Sequence, residues 1–274
     1  MELARTIALG LGLAYGLVMV VLGALLIRAA RQVQDRKPAI LGGGFVSMGV
    51  GSCNQVLGSI MASLYGGLLR VPMSEPNWAD AYQAIATGIG VLLANVFFLT
   101  IQFYASLTRS GRLGALDKGL VVAATISSVA ALTLWGFLEP VHGVYMRVLE
   151  ARGLLAEHME VPMLAATAVL AMAIVGYISC VNFSLLSRRL SMSADPVIAG
   201  RYGYALWGMV LMALAVTLTL AYPVVLMAGL GHLLMLLTVV RAIMFIAASI
   251  LVYLGVAGPR WFVERLARKG GQAR

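Results

Sequence analysis

Residues 233–261 read LLMLLTVVRAIMFIAASILVYLGVAGPRW, and this stretch decides the class of fold. Between residues 233 and 256 the one charged side chain is that of Arg241, and the others are mainly apolar or small. About 20 such residues cross the roughly 30 Å hydrocarbon core of a bilayer as a helix. Pro259 has no backbone N–H to donate, so the helix is expected to end just before it. The stretch therefore predicts a membrane-spanning helix with one charge inside the bilayer.

The rest of the chain resembles this stretch in composition. Its 274 residues are 61% hydrophobic and 11% charged, with a mean hydropathy of +0.93, whereas soluble domains carry about 25% charged residues. Apolar runs recur and leave no interval for a soluble domain. We predict an all-α, polytopic integral membrane bundle of seven transmembrane helices (1–258) followed by a basic cytoplasmic tail (259–274). The predicted spans are 7–27, 39–69, 81–107, 119–138, 161–186, 202–227 and 233–256.

The second of these spans is long and rich in glycine. A helix of that kind can be kinked, tilted or partly re-entrant, and all three forms are alternatives here. The outer connection 139–162 also leaves two alternatives. It has apolar residues at roughly helical spacing among charges, so it is either a solvated connector or a short surface helix that covers an outer pocket.

The distribution of Lys and Arg predicts the orientation, because cytoplasmic loops carry an excess of these residues. Loops one, three and five and the tail are basic, and they contain Arg28, Arg31, Arg36 and Lys37, then Arg109, Arg112 and Lys118, then Arg188, Arg189 and Arg201, and finally Arg260, Arg265, Arg268, Lys269 and Arg274. The alternate connections are acidic and contain Glu2, Glu75, Asp80, Glu139, Glu150, Glu157 and Glu160. We therefore expect the amino terminus outside, the carboxy terminus in the cytoplasm, and a multi-pass protein of the cell (plasma or inner) membrane.

Several classes of function do not fit this sequence. The formal charge of +9 lies in short segments without interleaved aromatic residues, so its expected partner is the lipid bilayer and not a nucleic acid. His142, His158 and His232 lie in connections, so the buried histidine pair of a membrane haem protein is missing. No lysine lies in a predicted span to form a retinal Schiff base, and no nucleotide-binding or hydrolase motif is present. We expect no enzyme, no cofactor and no metal.

Polar side chains inside the predicted spans are the candidate functional residues. In the segment GSCNQVLGS (51–59), Asn54 and Gln55 share one helical face with Gly51 and Gly58. Small residues and amides on one face are typical of a close helix–helix contact with satisfied hydrogen bonds. The alternative is a polar pocket or relay. The further residues that could line it are Asn95, Gln102, Ser127, Ser128 and Asn182.

Arg241 is the most unusual of these residues, since it lies about eight residues into the last predicted span, hence about 12 Å from its outer end. A charge at this depth is costly and is normally paired or hydrated. No Asp or Glu lies in a predicted span, so the candidate partners are amides such as Asn54 or Asn95, backbone carbonyls, an acid from an outer loop, or a bound anion. We predict that Asn54 or Gln55 faces the interior, toward Arg241. The candidate ligand-binding or interior polar residues are Arg241, Asn54, Gln55, Asn95, Gln102 and Asn182.

The end of the last span carries a resemblance to a known class of protein. Arg241 is followed by Gly258, Pro259, Arg260, Trp261 and Phe262 and then by a basic segment. This arrangement resembles that of bacterial multi-span sensory modules that precede histidine-kinase or other signalling domains. The resemblance implies a sensory function and a cytoplasmic partner for the tail 259–274.

Three functions fit the sequence. The first is a non-enzymatic seven-helix sensor or receptor-like module that signals to a cytoplasmic protein. The second is a small-solute transporter or channel, for which the glycines of the second span would mark a broken helix. The third is a structural subunit of a larger membrane complex, in which polar faces meet other chains. The sequence leaves the ligand and the oligomeric state open.

Overall fold

The computed structural model describes residues 2–68, 78–138, 160–227 and 231–272, and these residues form helices and short connections without any strand. The helices are α1 (Glu2–Val33), α2 (Arg36–Leu68), α3 (Trp78–Ser110), α4 (Ala115–Ala131), α5 (Glu160–Ser191), α6 (Pro196–Met227), α7 (Gly231–Ala257) and α8 (Arg260–Gln272). A π-helical stretch, Leu132–Leu138, continues α4. The connection 139–162, for which a surface helix was one alternative, lies outside the described residues up to 159.

The all-α prediction is confirmed for this part of the chain. Six of the helices contain segments long and apolar enough to cross a membrane, which indicates a multi-pass membrane protein. These segments are Leu9–Val33, Tyr82–Ser110, Ala115–Trp135, Thr167–Ser191, Pro196–Ala221 and Leu236–Ala257. Helix α2 is not among them, because its glycines and amides make it less apolar. It is nevertheless one continuous α-helix of 33 residues, so the re-entrant alternative does not hold.

The long helices form a closed ring of six, with α4 outside it. Neighbours in this ring are α1 and α2, α2 and α3, α3 and α5, α5 and α6, α6 and α7, and finally α7 and α1. Helix α4 packs against both α3 and α5 on the outer side of their contact. The short α1–α2, α3–α4 and α5–α6 connections and helix α8 lie at one end of the ring, here called the tail end. The opposite end is called the distal end.

Glycine pairs bring the backbones of α1 and α2 into contact. A Cβ at Gly23 would lie 2.6 Å from the carbonyl oxygen of Gly42, and a Cβ at Gly42 would lie 2.7 Å from that of Gly23. Gly16 and Gly49 form a second pair of the same kind. Small residues allow such close packing in membrane helices, where van der Waals contact drives association. Gly42 and Gly49 of α2 therefore serve packing and do not interrupt the helix.

From its middle to the tail end, the interior of the ring is filled with closely packed apolar side chains. Its largest fully buried side chains include those of Met19 and Leu26 in α1, Phe45 in α2, Phe97 in α3 and Phe183 in α5. Tyr104 stacks on Phe183 with ring centroids 5.3 Å apart. Large buried side chains therefore fill this part of the ring.

Candidate functional site

A pocket of about 380 Å³ lies in the distal half of the ring. All six inner helices line it, whereas α4 does not. Its wall is largely apolar, with the side chains of Val56, Val91, Phe98, Met172, Val216 and Phe245. The polar residues in the wall are Tyr15, Ser52, Gln55, Ser59, Thr219, Thr238 and Arg241. A mostly apolar pocket with a few convergent polar groups is the usual form of a small-molecule site.

Arg241 lies in this wall, ten residues after Gly231 and hence about 15 Å along α7 from its distal end. Its Nη1 donates to Oγ1 of Thr219 on α6, at 3.5 Å. The Thr219 hydroxyl in turn donates to the carbonyl of Ala215, so its oxygen is oriented to accept. The intramembrane arginine predicted from the sequence is therefore a pocket residue.

Tyr15 of α1 lines the same pocket and packs against α7 one helical turn from Arg241. Its side chain is buried, at 6% exposure, and its ring centroid is 5.6 Å from that of Phe245 on α7. The hydroxyl has no hydrogen-bond partner among the described residues. A buried donor without a partner costs about 1–3 kcal/mol, so such groups are rare unless something else binds them. The sequence did not single out this residue, because a tyrosine in an apolar helix gives no sign of whether its hydroxyl group will be hydrogen-bonded.

The segment 51–59 divides between the pocket and two helix contacts. Gln55 lines the pocket and lies over Gly90, where any Cβ would collide with its amide. Ser52 also lines the pocket, but its hydroxyl donates to the carbonyl of Gly12 on α1, at 3.0 Å. Asn54 does not line the pocket, and its Oδ1 accepts from the hydroxyl of Tyr82 on α3, at 2.8 Å. Of the two amides, Gln55 is the one that shares the pocket with Arg241.

Asn95 forms a separate buried cluster between α3, α4 and α5. Its Nδ2 donates to the hydroxyl oxygens of Ser127 and Ser128, at 3.0 Å each. Those hydroxyls donate to the carbonyls of Ala168 and Ala124, so they can only accept from the amide. The amide oxygen has no partner among the described residues. Asn95 therefore holds α4 against the ring and does not reach the pocket of Arg241.

Gln102 and Asn182 meet at the tail end, around the carboxylate of Asp117, which lies between the predicted spans 81–107 and 119–138. Asn182 Nδ2 donates to Gln102 Oε1 at 3.0 Å, and Gln102 Nε2 donates to Asp117 Oδ1 at 2.7 Å. Ser106 also donates to Oδ1 at 2.7 Å, and the backbone N–H of Gly114 donates to Oδ2 at 2.5 Å. Asp117 is only 2% exposed.

The six predicted polar residues therefore do not form one interior network. Arg241 and Gln55 share the distal pocket, Asn54 bonds to Tyr82, Asn95 bonds to two serines, and Gln102 and Asn182 bind around Asp117. Asn54 and Asn95, the two amides that were candidate partners of Arg241, lie elsewhere. Their side chains point toward neighbouring helices and not into the pocket. The contact of Asp117 with the Gly114 N–H did have a sequence signal, since an acid at the third position of a helix that starts an apolar run commonly binds the backbone at the helix start.

The tail helix is joined to α7 through a defined contact. Arg201 of α6 donates to the carbonyls of Gly255 and Val256 at the end of α7, at 3.2 and 2.6 Å. Gly258 follows with a φ of +54°, which favours glycine and ends the helix. Helix α8 then packs on α6, with Phe262 buried edge-on against Tyr204 at 5.0 Å. Arg201 therefore holds the end of α7 against α6, immediately before the turn that leads into α8.

Comparisons of the chain with protein-family models, curated proteins and solved structures gave no match.

Proposed function

We propose that the chain is a non-enzymatic sensory module of a bacterial cell membrane, in which an occupant of the distal pocket changes the packing of α7 and the tail reports this change to a cytoplasmic protein. In this proposal α2 is the seventh membrane span, the amino terminus is outside, and the tail end of the ring faces the cytoplasm. The basic residues of the tail-end connections support that orientation.

The observation that supports sensing best is the position of α7. Thr238, Arg241, Ala242 and Phe245 of this helix line the pocket, and the same helix runs without a break to the Arg201 contact at its end. A ligand can shift an equilibrium only if it binds two packings with different affinity. Helix α7 supplies both the binding contacts and the connection to the tail, so a small shift of it serves as the signal.

The dense tail-end core also favours a sensor over a conduit. Phe45 and Phe183 are fully buried on the tail side of the pocket-lining residues of their helices, and Phe97 packs edge-on against Phe45. A solute passing through the ring would have to displace these side chains, whereas a sensor only needs a pocket that is open on one side.

The coupling is measurable as a distance between α8 and the rest of the tail end. Spin labels at Arg112→Cys and Glu264→Cys report it by pulsed electron paramagnetic resonance, because both positions are exposed. Cys53 is half-buried and is replaced by Ala, whereas Cys180 is buried and stays. The protein is the full chain in lipid nanodiscs.

Filling the pocket is expected to change that distance. Ala94 is buried and lines the pocket, so Ala94→Phe places a ring where a ligand would lie. Helix shifts at packed interfaces are about 1–2 Å, and we expect a change of this size in the label distance or in the populations of two distances. Leu170→Phe, on the exposed face of α5, is the matched control and should leave the distribution unchanged. Equal distributions for Ala94→Phe and for the control would contradict the proposal.

Removing the Arg201 contact is expected to uncouple the tail. Arg201→Gln loses two charge-assisted hydrogen bonds to the end of α7, so the label distribution should broaden and no longer respond to Ala94→Phe. Arg260→Gln removes an exposed arginine from the same region and serves as the control. A tail that still follows Ala94→Phe in the Arg201→Gln protein would show that the signal takes another route.

A further inference from the structure

We infer that the distal pocket binds an amphipathic monoanion, a molecule with a carboxylate or phosphate head and a short apolar body. This inference names the ligand class of the proposed sensor and rests on that proposal only for the consequence of binding. The binding itself follows from the wall of the pocket.

The charge of the wall favours an anion. Arg241 lies in the wall, and none of the described residues that line the pocket is acidic. An arginine stays protonated in any protein environment, and it has five N–H donors, so it can contact a ligand and neighbouring side chains together. A cationic ligand would meet this charge in a medium of low dielectric, where repulsion between like charges is strong.

The Tyr15 hydroxyl is an independent sign of a ligand. It is buried in the wall near Arg241, and it has no partner among the described residues. Its O–H is a donor, as are the guanidinium of Arg241 and the amide of Gln55. An oxygen-rich anionic head accepts from all three types of donor, and charge-assisted hydrogen bonds of this kind are short and strong.

The size and apolar surface of the pocket fit a short hydrocarbon body. A volume of about 380 Å³ corresponds to roughly a dozen water-sized groups at about 30 Å³ each. Val56, Val91, Met172 and Phe245 supply the apolar wall beside the donors. A carboxylate with a chain of about eight carbons would fill this space. Such an anion could come from the aqueous phase or from an anionic membrane lipid, and the two sources share the same head chemistry.

The test is a binding measurement with radiolabelled octanoate on the full chain in phosphatidylcholine nanodiscs. We expect saturable binding, with octanamide, the neutral isostere, about ten- to a hundredfold weaker as a competitor. Arg241→Gln should weaken octanoate binding by a similar factor. Octanamide that competes as well as unlabelled octanoate, or the absence of saturable binding, would overturn the inference.

Tyr15→Phe is the second variant, because its effects on the stability of the empty protein and on octanoate binding should differ in sign. Removing an unpartnered buried hydroxyl should leave the empty protein as stable as before or more stable, yet octanoate binding should weaken about fivefold through the lost donor. Tyr177→Phe, on the exposed face of α5, is the control and should change neither quantity. If Tyr15→Phe and Arg241→Gln both bind octanoate like the parent protein, the anion does not occupy this pocket.

Nanodiscs that contain phosphatidylglycerol separate the two sources. Weaker apparent octanoate binding there, in the parent protein but not in Arg241→Gln, indicates that the lipid anion occupies the pocket, whereas unchanged binding indicates a ligand from the water phase. The same samples distinguish this inference from the proposed function. Octanoate that binds without changing the Arg112–Glu264 label distance, or that is carried across proteoliposome membranes, would contradict the proposed sensor function. The inferred class of ligand would still hold. If the tail responds to Ala94→Phe but the parent protein does not bind octanoate, the inferred class of ligand is contradicted and the proposed sensor function still holds.

Discussion

Gly42→Ala is expected to destabilise the bundle by about 1–3 kcal/mol, the usual cost of overpacking a close contact. The added methyl group would lie 2.7 Å from the backbone carbonyl oxygen of Gly23 and 2.8 Å from a side-chain carbon of Ile27. A backbone carbonyl cannot turn away as a flexible side chain can, so α1 and α2 would have to separate. The measurement is the thermal or denaturant unfolding midpoint in a single detergent.

The neighbouring residue provides the control for this prediction. Gly43 is exposed, and a Cβ there would meet nothing within 4 Å. Alanine is a better helix former than glycine by up to about 1 kcal/mol, so Gly43→Ala should unfold at the same midpoint or a higher one. Two alanine variants of equal stability would mean that the α1–α2 contact is looser than described.

Asp117→Ala is expected to cost about 2–4 kcal/mol of stability, since hydrogen bonds to a charged group contribute about 1.5–3 kcal/mol each and their donors would be left buried. The carboxylate accepts from Gln102, Ser106 and the backbone of Gly114, and it joins α3 to the first turn of α4. Its loss would also release Asn182, which bonds to Gln102. The unfolding midpoint and amide hydrogen exchange in the first turn of α4 measure the effect.

Two comparisons make this second prediction specific. Asp117→Asn keeps one oxygen for Gln102 and Ser106 but turns a second donor toward the Gly114 N–H, so its stability should lie between those of the parent protein and Asp117→Ala. Glu264→Ala removes an exposed acid from α8 and should leave the midpoint unchanged. If Asp117→Ala is as harmless as Glu264→Ala, the carboxylate is hydrated and does not connect the helices.

Much of the helical architecture was predictable from sequence, because the length of an apolar run and the position of a charge within it are local properties. The depth of Arg241 follows from counting residues along one helix. The position of Gln55 in the pocket wall agrees with the helical period, which places it on one face with Gly51 and Gly58. These predictions needed no knowledge of the neighbouring helices.

The partners of the polar residues were not predictable in the same way. Asn54 and Gln55 are adjacent in sequence, yet one bonds to Tyr82 and the other enters the pocket, since a rotation of about 100° separates them. That Asn95 meets two serines of α4 depends on α4 lying outside the ring, and no feature of its sequence indicates this position. Asp117 lies between two predicted spans, and its burial depends on Gln102 and Ser106 of α3, which no local pattern places beside it.

The exclusion of α4 from the ring has a consequence for how the ring can open. Two of the six inner contacts, α3–α5 and α7–α1, join helices that are not consecutive along the chain. Helix α4 packs on both members of the first contact, whereas no described helix packs extensively on both members of the second. The α1–α7 contact of the ring therefore has neither a direct connection between its helices nor a described helix packed across it, and Tyr15 and Phe245 meet there. We therefore expect a lateral opening of the ring toward the bilayer to form between α1 and α7.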